Sequence, residues 1–223
     1  MTLQKVFISD RPTNNQEIER NMFDYYIFDL DGVLVDVSRD YKREIFDEVG
    51  EHFGHEFTDE EIHNLWHGLG AESREDLLRS WGYEPREFWE VFDSIDTPER
   101  RLKNTFAYED TSVLRRMDEK MGIVTHSPPD LAIPVLEKTG LEDLFESVVS
   151  CSYDIGYKPE PEPIRRCMND LGVNGSKKST IMIGDSVSDV KGAWNAGITA
   201  GHINRHGGNI DADYNLESLE EIP

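Results

Sequence analysis

Asp29, Asp31 and Asp36 crowd into eight positions directly after the apolar run Tyr25, Tyr26, Ile27, Phe28, in the stretch DYYIFDLDGVLVD. A second acidic pair, Asp185 and Asp189 in GDSVSD, follows the apolar run TIMIG. Thr125 ends the run GIVT, and Lys158 lies in GYKPEPEP, after SVVSC. Carboxylates delivered together to the ends of buried strands repel one another. They can share a site if a divalent cation and a lysine neutralise them. Mg²⁺ suits such a set, because it prefers oxygen ligands and binds through a few carboxylates.

The elements that must position these residues follow from the apolar patterning. Residues 38–104 read as helical throughout. Tyr41, Ile45, Val49 and Phe53 recur at near-helical spacing. Thr58 with Glu61 forms a capping box, Ser73 opens REDLLRSW and Gly82 closes it. Pro85 and Pro98 start two further helices. Beyond them helix and strand alternate. VLRRMDE reads as helix, GIVT as strand, and PPDLAIPVLEKTG as a helix disturbed at Pro134 and stopped at Gly140. SVVSC is a strand, PEPIRRCMNDLG a helix, TIMIG a strand, SVSDVKGAWNAG a helix and ITAGHI the last strand. Such alternation predicts a parallel sheet covered on both faces. The expected fold is therefore α/β, a doubly wound parallel sheet with a small helical domain inserted after the first strand. Residues 23–37 and 105–223 would form the core, 38–104 the insert, and 1–22 a polar N-terminal extension, with Met22 as an alternative start. In open parallel sheets ligands bind at the carboxyl ends of the strands, where the residues above would stand.

A chain of 223 residues suits one domain carrying a sizeable insertion. Its net charge of −22 argues against nucleic acid and anionic membranes as partners. No apolar run reaches the length of a membrane span and no signal-peptide pattern opens the chain, so a cytoplasmic protein is expected. The acid is spread along the whole sequence, with fourteen arginines to nine lysines. That balance fits a salt-rich cytoplasm, as in a halophilic archaeon, where screening suppresses self-repulsion. The acidic surface favours a monomer or small homo-oligomer. Cys151 and Cys167 form neither a metal-type pair nor a disulfide framework.

In order and spacing these motifs resemble the haloacid dehalogenase-like superfamily of hydrolases, from about Phe23 onwards. DLDGVLVD is similar to its first motif, Thr125 to its second, Lys158 to its third and GDSVSD to its fourth. A helical insert between the first two resembles the superfamily's first cap type, as in phosphoglycolate phosphatase-like members. The resemblance implies a Mg²⁺-dependent phosphatase acting on a small-molecule phosphate ester. It implies that Asp29, Asp185 and the Asp31 main-chain carbonyl ligate the metal, with Asp189 at the metal or its waters. It further implies that Asp29 attacks phosphorus to form an aspartyl phosphate. Thr125, Lys158 and N–H groups near Gly32 would hold the phosphoryl oxygens. Asp31 would give the leaving group its proton and take one from water. Family dehalogenases and phosphonate hydrolases lack that second acid, so Asp31 favours phosphate esters.

Other residues carry weaker signals. His126, next to Thr125, is a candidate phosphate contact. Arg39 and Arg43 are candidates for an anionic substrate, against the plainer reading of solvated helix charge. Asp36 would fix the loop leading into the insert. His63 and His67 share a helix face at zinc-type spacing, with His52 and His55 nearby, but packing is the better reading. Trp66, Trp81, Trp89 and Phe92 read as the insert's own core. A β-phosphoglucomutase-like phosphomutase is the rival activity. Those relatives carry a histidine twelve residues after the nucleophile, where this chain has Tyr41. A non-catalytic binding or regulatory protein is the rival of another class.

Overall fold

The runs YYIF, KMGIVT and TIMIG lie side by side at the centre of the molecule. The computed structural model describes residues 22–69, 73–173, 179–208 and 210–223. The extension expected for 1–22 thus falls, apart from Met22, outside the described residues. Strands β1 (Tyr25–Phe28), β4 (Lys120–Thr125), β5 (Ser147–Ser150), β6 (Thr180–Gly184), β7 (Thr199–Ile203) and β8 (Tyr214–Leu216) form one parallel sheet. Its order is β5-β4-β1-β6-β7-β8. Side chains alternate between its faces. Tyr26, Phe28, Ile181 and Ile183 pack into one buried cluster; Ile27, Val124 and Met182 pack into another. Both faces are covered, by helices that include α6 (Pro129–Thr139), α7 (Glu162–Asp170) and α8 (Val187–Ala196).

Between β2 (Val35–Val37) and β3 (Thr105–Ala107) the described residues form five helices: α1 (Arg39–Phe53), α2 (Asp59–His67), α3 (Arg74–Ser80), α4 (Pro85–Ile95) and α5 (Pro98–Asn104). Ser38, Thr58, Ser73 and Thr97 each cap a helix with the side-chain oxygen. The helices bury a separate cluster around Phe46, Phe57, Leu65 and Phe88, with Trp66, Trp81 and Trp89 packed against it. β2 and β3 pair antiparallel, Val35 with Ala107 and Val37 with Thr105, so the two crossings into the helical layer form one ribbon.

Three expectations need correction. ITAGHI is not the last strand: Tyr214–Leu216 adds β8, too short for any periodicity to announce. VLRRMDE is not an α-helix. A 3₁₀ helix runs over Glu109–Arg116, with Leu114 buried against the sheet. Pro134 does not interrupt α6. The carbonyl it leaves without an intrahelical partner belongs to exposed Asp130 in the first turn, where it is open to solvent.

Asp110 pins this 3₁₀ helix to the chain's last turn. Its carboxylate accepts from Arg205 Nη2 (2.8 Å), Ser218 Oγ (2.9 Å) and the Leu219 N–H (2.9 Å). Burial alone would raise its pKa, but Arg205 and the Leu219 N–H outweigh that and hold it below the usual value. A depressed carboxylate stabilises the fold above the ordinary carboxylate range and loses that contribution as pH falls through it. Asp110→Ala should cost about 2–3 kcal/mol at neutral pH. The difference from wild type in urea midpoint should shrink in acid.

Candidate active site

β1 lies between β4 and β6, where the strand order turns from one direction to the other. Such a switch opens a crevice at the carboxyl ends of the strands. Asp29 stands there, its N–H still donating to Ile183 O (2.9 Å). Asp185 directly follows β6. Ser186 then caps α8, and Asp189 completes the capping box by accepting from the Ser186 N–H (3.1 Å). One strand-to-helix turn therefore fixes two of the acids. Oxygens of Asp29, Asp185 and Asp189 all lie within 4.8 Å of one another.

Lys158 reaches this cluster from the loop after β5. Its Nζ is 2.8 Å from Asp29 Oδ1 and 2.7 Å from Asp189 Oδ1, and donates to Val124 O (2.9 Å). The lysine side chain is 1% exposed and that of Asp29 13%. Burial pushes the Asp29 carboxyl up to about 7 against the pull of Lys158. Burial, with Asp189 and Asp29 beside it, raises Asp185 well above the usual carboxylate value. Asp189 would also rise on burial, but Lys158 outweighs that and holds it down. Burial alone would lower Lys158, yet Asp189 and Asp29 raise it, so the ammonium persists.

One ammonium cannot balance three buried carboxylates. The excess negative charge and all-oxygen donor set fit a small hard divalent cation. Gly32 helps make the necessary room. At φ +80 it adopts a conformation favoured by glycine, and a Cβ there would run into the Asp185 carboxylate. Gly32→Ala should therefore displace Asp185, cost about 1–3 kcal/mol in stability and weaken Mg²⁺ binding. Isothermal titration with Mg²⁺ alone measures the second effect; unchanged affinity would contradict this account of the glycine.

Asp31 bonds elsewhere. Its carboxylate, 37% exposed, accepts from Ser127 Oγ (2.6 Å) and faces Arg101 Nη1 at 3.6 Å. Thr125, buried at the end of β4, accepts from the Ser127 N–H (3.0 Å) and so sets the turn that brings Ser127 to Asp31. His126 is exposed, its ring 6.0 Å from that of Tyr157.

Arg39 and Arg43, weighed for an anionic substrate against solvated helix charge, both pair with Asp59. Arg39 is 81% exposed, and Arg43 also donates to Phe57 O (2.6 Å). The first turn of α2 simply lies beside that of α1, and its acid takes both charges. The His67 ring lies 5.0 Å from that of His63. It stacks on that of His206 at 3.5 Å, and the His67 Nε2 lies 3.1 Å from Lys42 Nζ. Lys42 also bonds Asp36 at 2.8 Å, so an ammonium stands where a metal bound by Asp36, His67 and His206 would sit. Tyr108 OH, 3.1 Å from both Asp36 Oδ2 and His206 Nε2, ties this group to β2. His55 Nε2 lies 3.5 Å from Glu61, and the His52 ring packs edge-on against Phe53.

Ser127, Arg101, Tyr108 and His206 all stand at or beside the site without having been singled out in the sequence. Ser127 had a signal, since it follows Thr125 by two residues. The other three arrive through long-range packing.

The sequence profile for haloacid dehalogenase-like hydrolases matches residues 26–203. A protein named pyrophosphatase PpaX from Halalkalibacterium halodurans is 33% identical over 121 residues, 52% of this chain and 55% of its own length. A phosphoglycolate phosphatase from Cupriavidus necator is 35% identical over 118 residues, half of each chain. The match thus spans only about half the length of these two relatives. A PpaX pyrophosphatase from Listeria welshimeri is 28% identical over 88% of this chain and 93% of its own. Among solved structures, a HAD phosphatase from Thermococcus onnurineus is 28% identical, with TM-score 0.62 over 89% of this chain and 95% of its own. A haloacid dehalogenase-like hydrolase from Streptococcus pneumoniae shares the fold at 18% identity, with TM-score 0.74 over 90% of this chain and 97% of its own.

Proposed function

This chain belongs to the haloacid dehalogenase-like hydrolases, and from that premise we propose that it is a Mg²⁺-dependent phosphatase of small phosphate esters working through an aspartyl phosphate. The observation that carries the reading is the meeting of Asp29, Asp185, Asp189 and Lys158 at adjacent strand ends, with a second acid, Asp31, set to one side. A metal centre alone would need no second acid outside the cluster. An ester hydrolase does, because protons must move in both halves of the reaction.

Asp29 attacks phosphorus through one carboxylate oxygen, and the bond from phosphorus to the leaving oxygen breaks. Asp31 gives that oxygen its proton. Asp31, now ionised, then takes a proton from water, whose oxygen attacks phosphorus. The bond to Asp29 breaks, releasing phosphate and restoring the carboxylate. Lys158 stays charged throughout and holds Asp29 in place. Thr125 and the N–H groups near Gly32 receive the phosphoryl oxygens as charge redistributes, with His126 alongside. Asp29, Asp185 and the Asp31 main-chain carbonyl would hold Mg²⁺, with Asp189 beside them, and the bound ion would supply positive charge against the phosphoryl group. The helices of residues 38–104 act as a cap over the 23–37 and 105–223 core, excluding water while the phosphoenzyme forms.

The names of the relatives point to pyrophosphate and phosphoglycolate as the first compounds to try. The dispersed acidity favours a cytoplasmic enzyme of a salt-rich cell, a monomer or small homo-oligomer. Among the described residues no helix is long and apolar enough to cross a membrane. Phosphate release should be measured over a panel of phosphate esters in concentrated KCl, with Mg²⁺ or with chelator. Release only with Mg²⁺ is expected. Release undiminished by chelator, or silence from protein shown to be folded, would overturn the reading.

A further inference from the structure

The helical layer sends one buried cation down to the acid that handles the leaving group. Arg101, in α5, has its side chain 15% exposed. Its Nε donates to Asp96 Oδ1 (3.0 Å) and Oδ2 (2.8 Å), and Nη2 bonds the same carboxylate. Asp96 is itself buried and accepts from Tyr41 OH (2.5 Å). The guanidinium lies over the Trp66 ring, 4.7 Å from its centroid. One edge of the fork is thus fixed and its face covered, and the remaining edge, Nη1, faces Asp31 Oδ1 at 3.6 Å. That separation is an ion pair across a gap rather than a hydrogen bond, so Nη1 is oriented but not saturated. A second arginine of the same layer, Arg74, is anchored to Trp66 O (2.7 Å), and its charge bears on Asp185 and His67.

Resting on the phosphatase reading above, we propose that Arg101 selects substrates whose leaving group carries a second anion, a carboxylate or phosphate, within two or three bonds of the departing oxygen. Asp31 must touch that oxygen to protonate it. Whatever hangs from the oxygen then lies beside Asp31, on the side from which Arg101 arrives. A guanidinium held on one edge presents two parallel donors on the other, the geometry that matches carboxylate and phosphate. Asp96 fixes the group before substrate arrives, so little rotamer entropy is lost on binding. A neutral leaving group would leave the Nη1 edge with only Asp31 across the gap, and the site therefore discriminates against it.

The test compares matched substrates: the phosphate ester of glycolate against that of neutral glycolamide, and the phosphate ester of hydroxymethylphosphonate against that of its neutral dimethyl ester. The wild type should favour the anionic member of at least one pair by about 10²-fold in kcat/KM, and which pair responds identifies the anion. In Arg101→Gln the ratio should fall to within a few-fold of one. Arg101→Lys keeps the charge but not the fork, and should fall between them. Circular dichroism checks that both variants fold, and the wild-type ratio stands even if neither does. Turnover of all four compounds with no preference in the wild type would overturn the proposal and leave the phosphatase reading intact. So would a ratio unchanged in folded Arg101→Gln. Turnover of other phosphate esters but of none of these four would overturn the proposal alone, whereas silence of folded wild type across the whole ester panel would remove the phosphatase reading and this one with it.

Discussion

Asp29→Asn should lower phosphate release by about 10⁴-fold or more. The amide is close in shape to the carboxylate and keeps the neighbourhood packed, but its oxygen and nitrogen are poor nucleophiles. The loss should appear in kcat for every substrate alike, because the step removed is common to all. Phosphoenzyme trapped from wild type by acid quench with labelled substrate should be absent from the variant. The same substitution should not destabilise the metal-free protein. Asp29 is the acid that burial pushes up to about 7, so a neutral amide in its place relieves a charge that the fold holds at a cost. Near-normal turnover from a clean Asp29→Asn preparation would remove Asp29 as nucleophile.

Lys158→Met should have the opposite effect on stability. The ammonium stands between Asp29 and Asp189 and is the only cation within 3 Å of either, among the described ion pairs. Replacing it with an apolar chain of similar length keeps the volume and leaves three buried acids without their counter-charge. Removing one partner of a buried ion pair costs about 3–5 kcal/mol. Part of that loss should return when Mg²⁺ is added, because a ligand that binds only the folded state stabilises by mass action. Turnover should fall by about 10²–10³-fold, the usual size of a lost charge stabiliser. Urea unfolding in chelator and in Mg²⁺ distinguishes the two variants. Asp29→Asn should match or exceed wild type in chelator, and Lys158→Met should fall well below it. If Lys158→Met were as stable as wild type in chelator, the charge account of the site would be wrong.

The contrast between these residues and Arg101 shows what a sequence reveals. Asp29, Asp31, Asp185, Asp189 and Thr125 could be singled out because each follows an apolar run closely, and the end of a parallel strand is a place where chemistry collects. Their position along the chain is nearly their position in the site. Arg101 lies in PERRLKN, where Leu102 is the one apolar side chain beside it and no periodicity separates inside from outside. Arg100 turns outwards to Glu44 (2.6 Å) and Glu48 (2.7 Å), while Arg101 turns inwards to Asp96 and Asp31. One step of helix rotation, about 100°, divides a solvated charge from a buried one. Only the packing of α5 against the sheet core decides which is which. Arg39 and Arg43 show the same limit from the other side. They look available in sequence and are claimed in space by Asp59, sixteen or more positions away. The doubly wound sheet was legible because its runs are long and apolar. The three-residue strands β2, β3 and β8 were not, since three residues cannot display a period.

The ribbon of β2 and β3 has a bearing on how such a chain can change over time. Val37 and Thr105 are already partners in a ladder, although the segment between them folds around a hydrophobic cluster of its own. Deleting or exchanging that segment would leave the two cut ends side by side, ready to be closed by a tight turn or by a different unit. None of the six parallel strands would have to shift register to receive it. The ribbon is therefore a seam at which a segment can be exchanged while the register of the parallel sheet stays as it is.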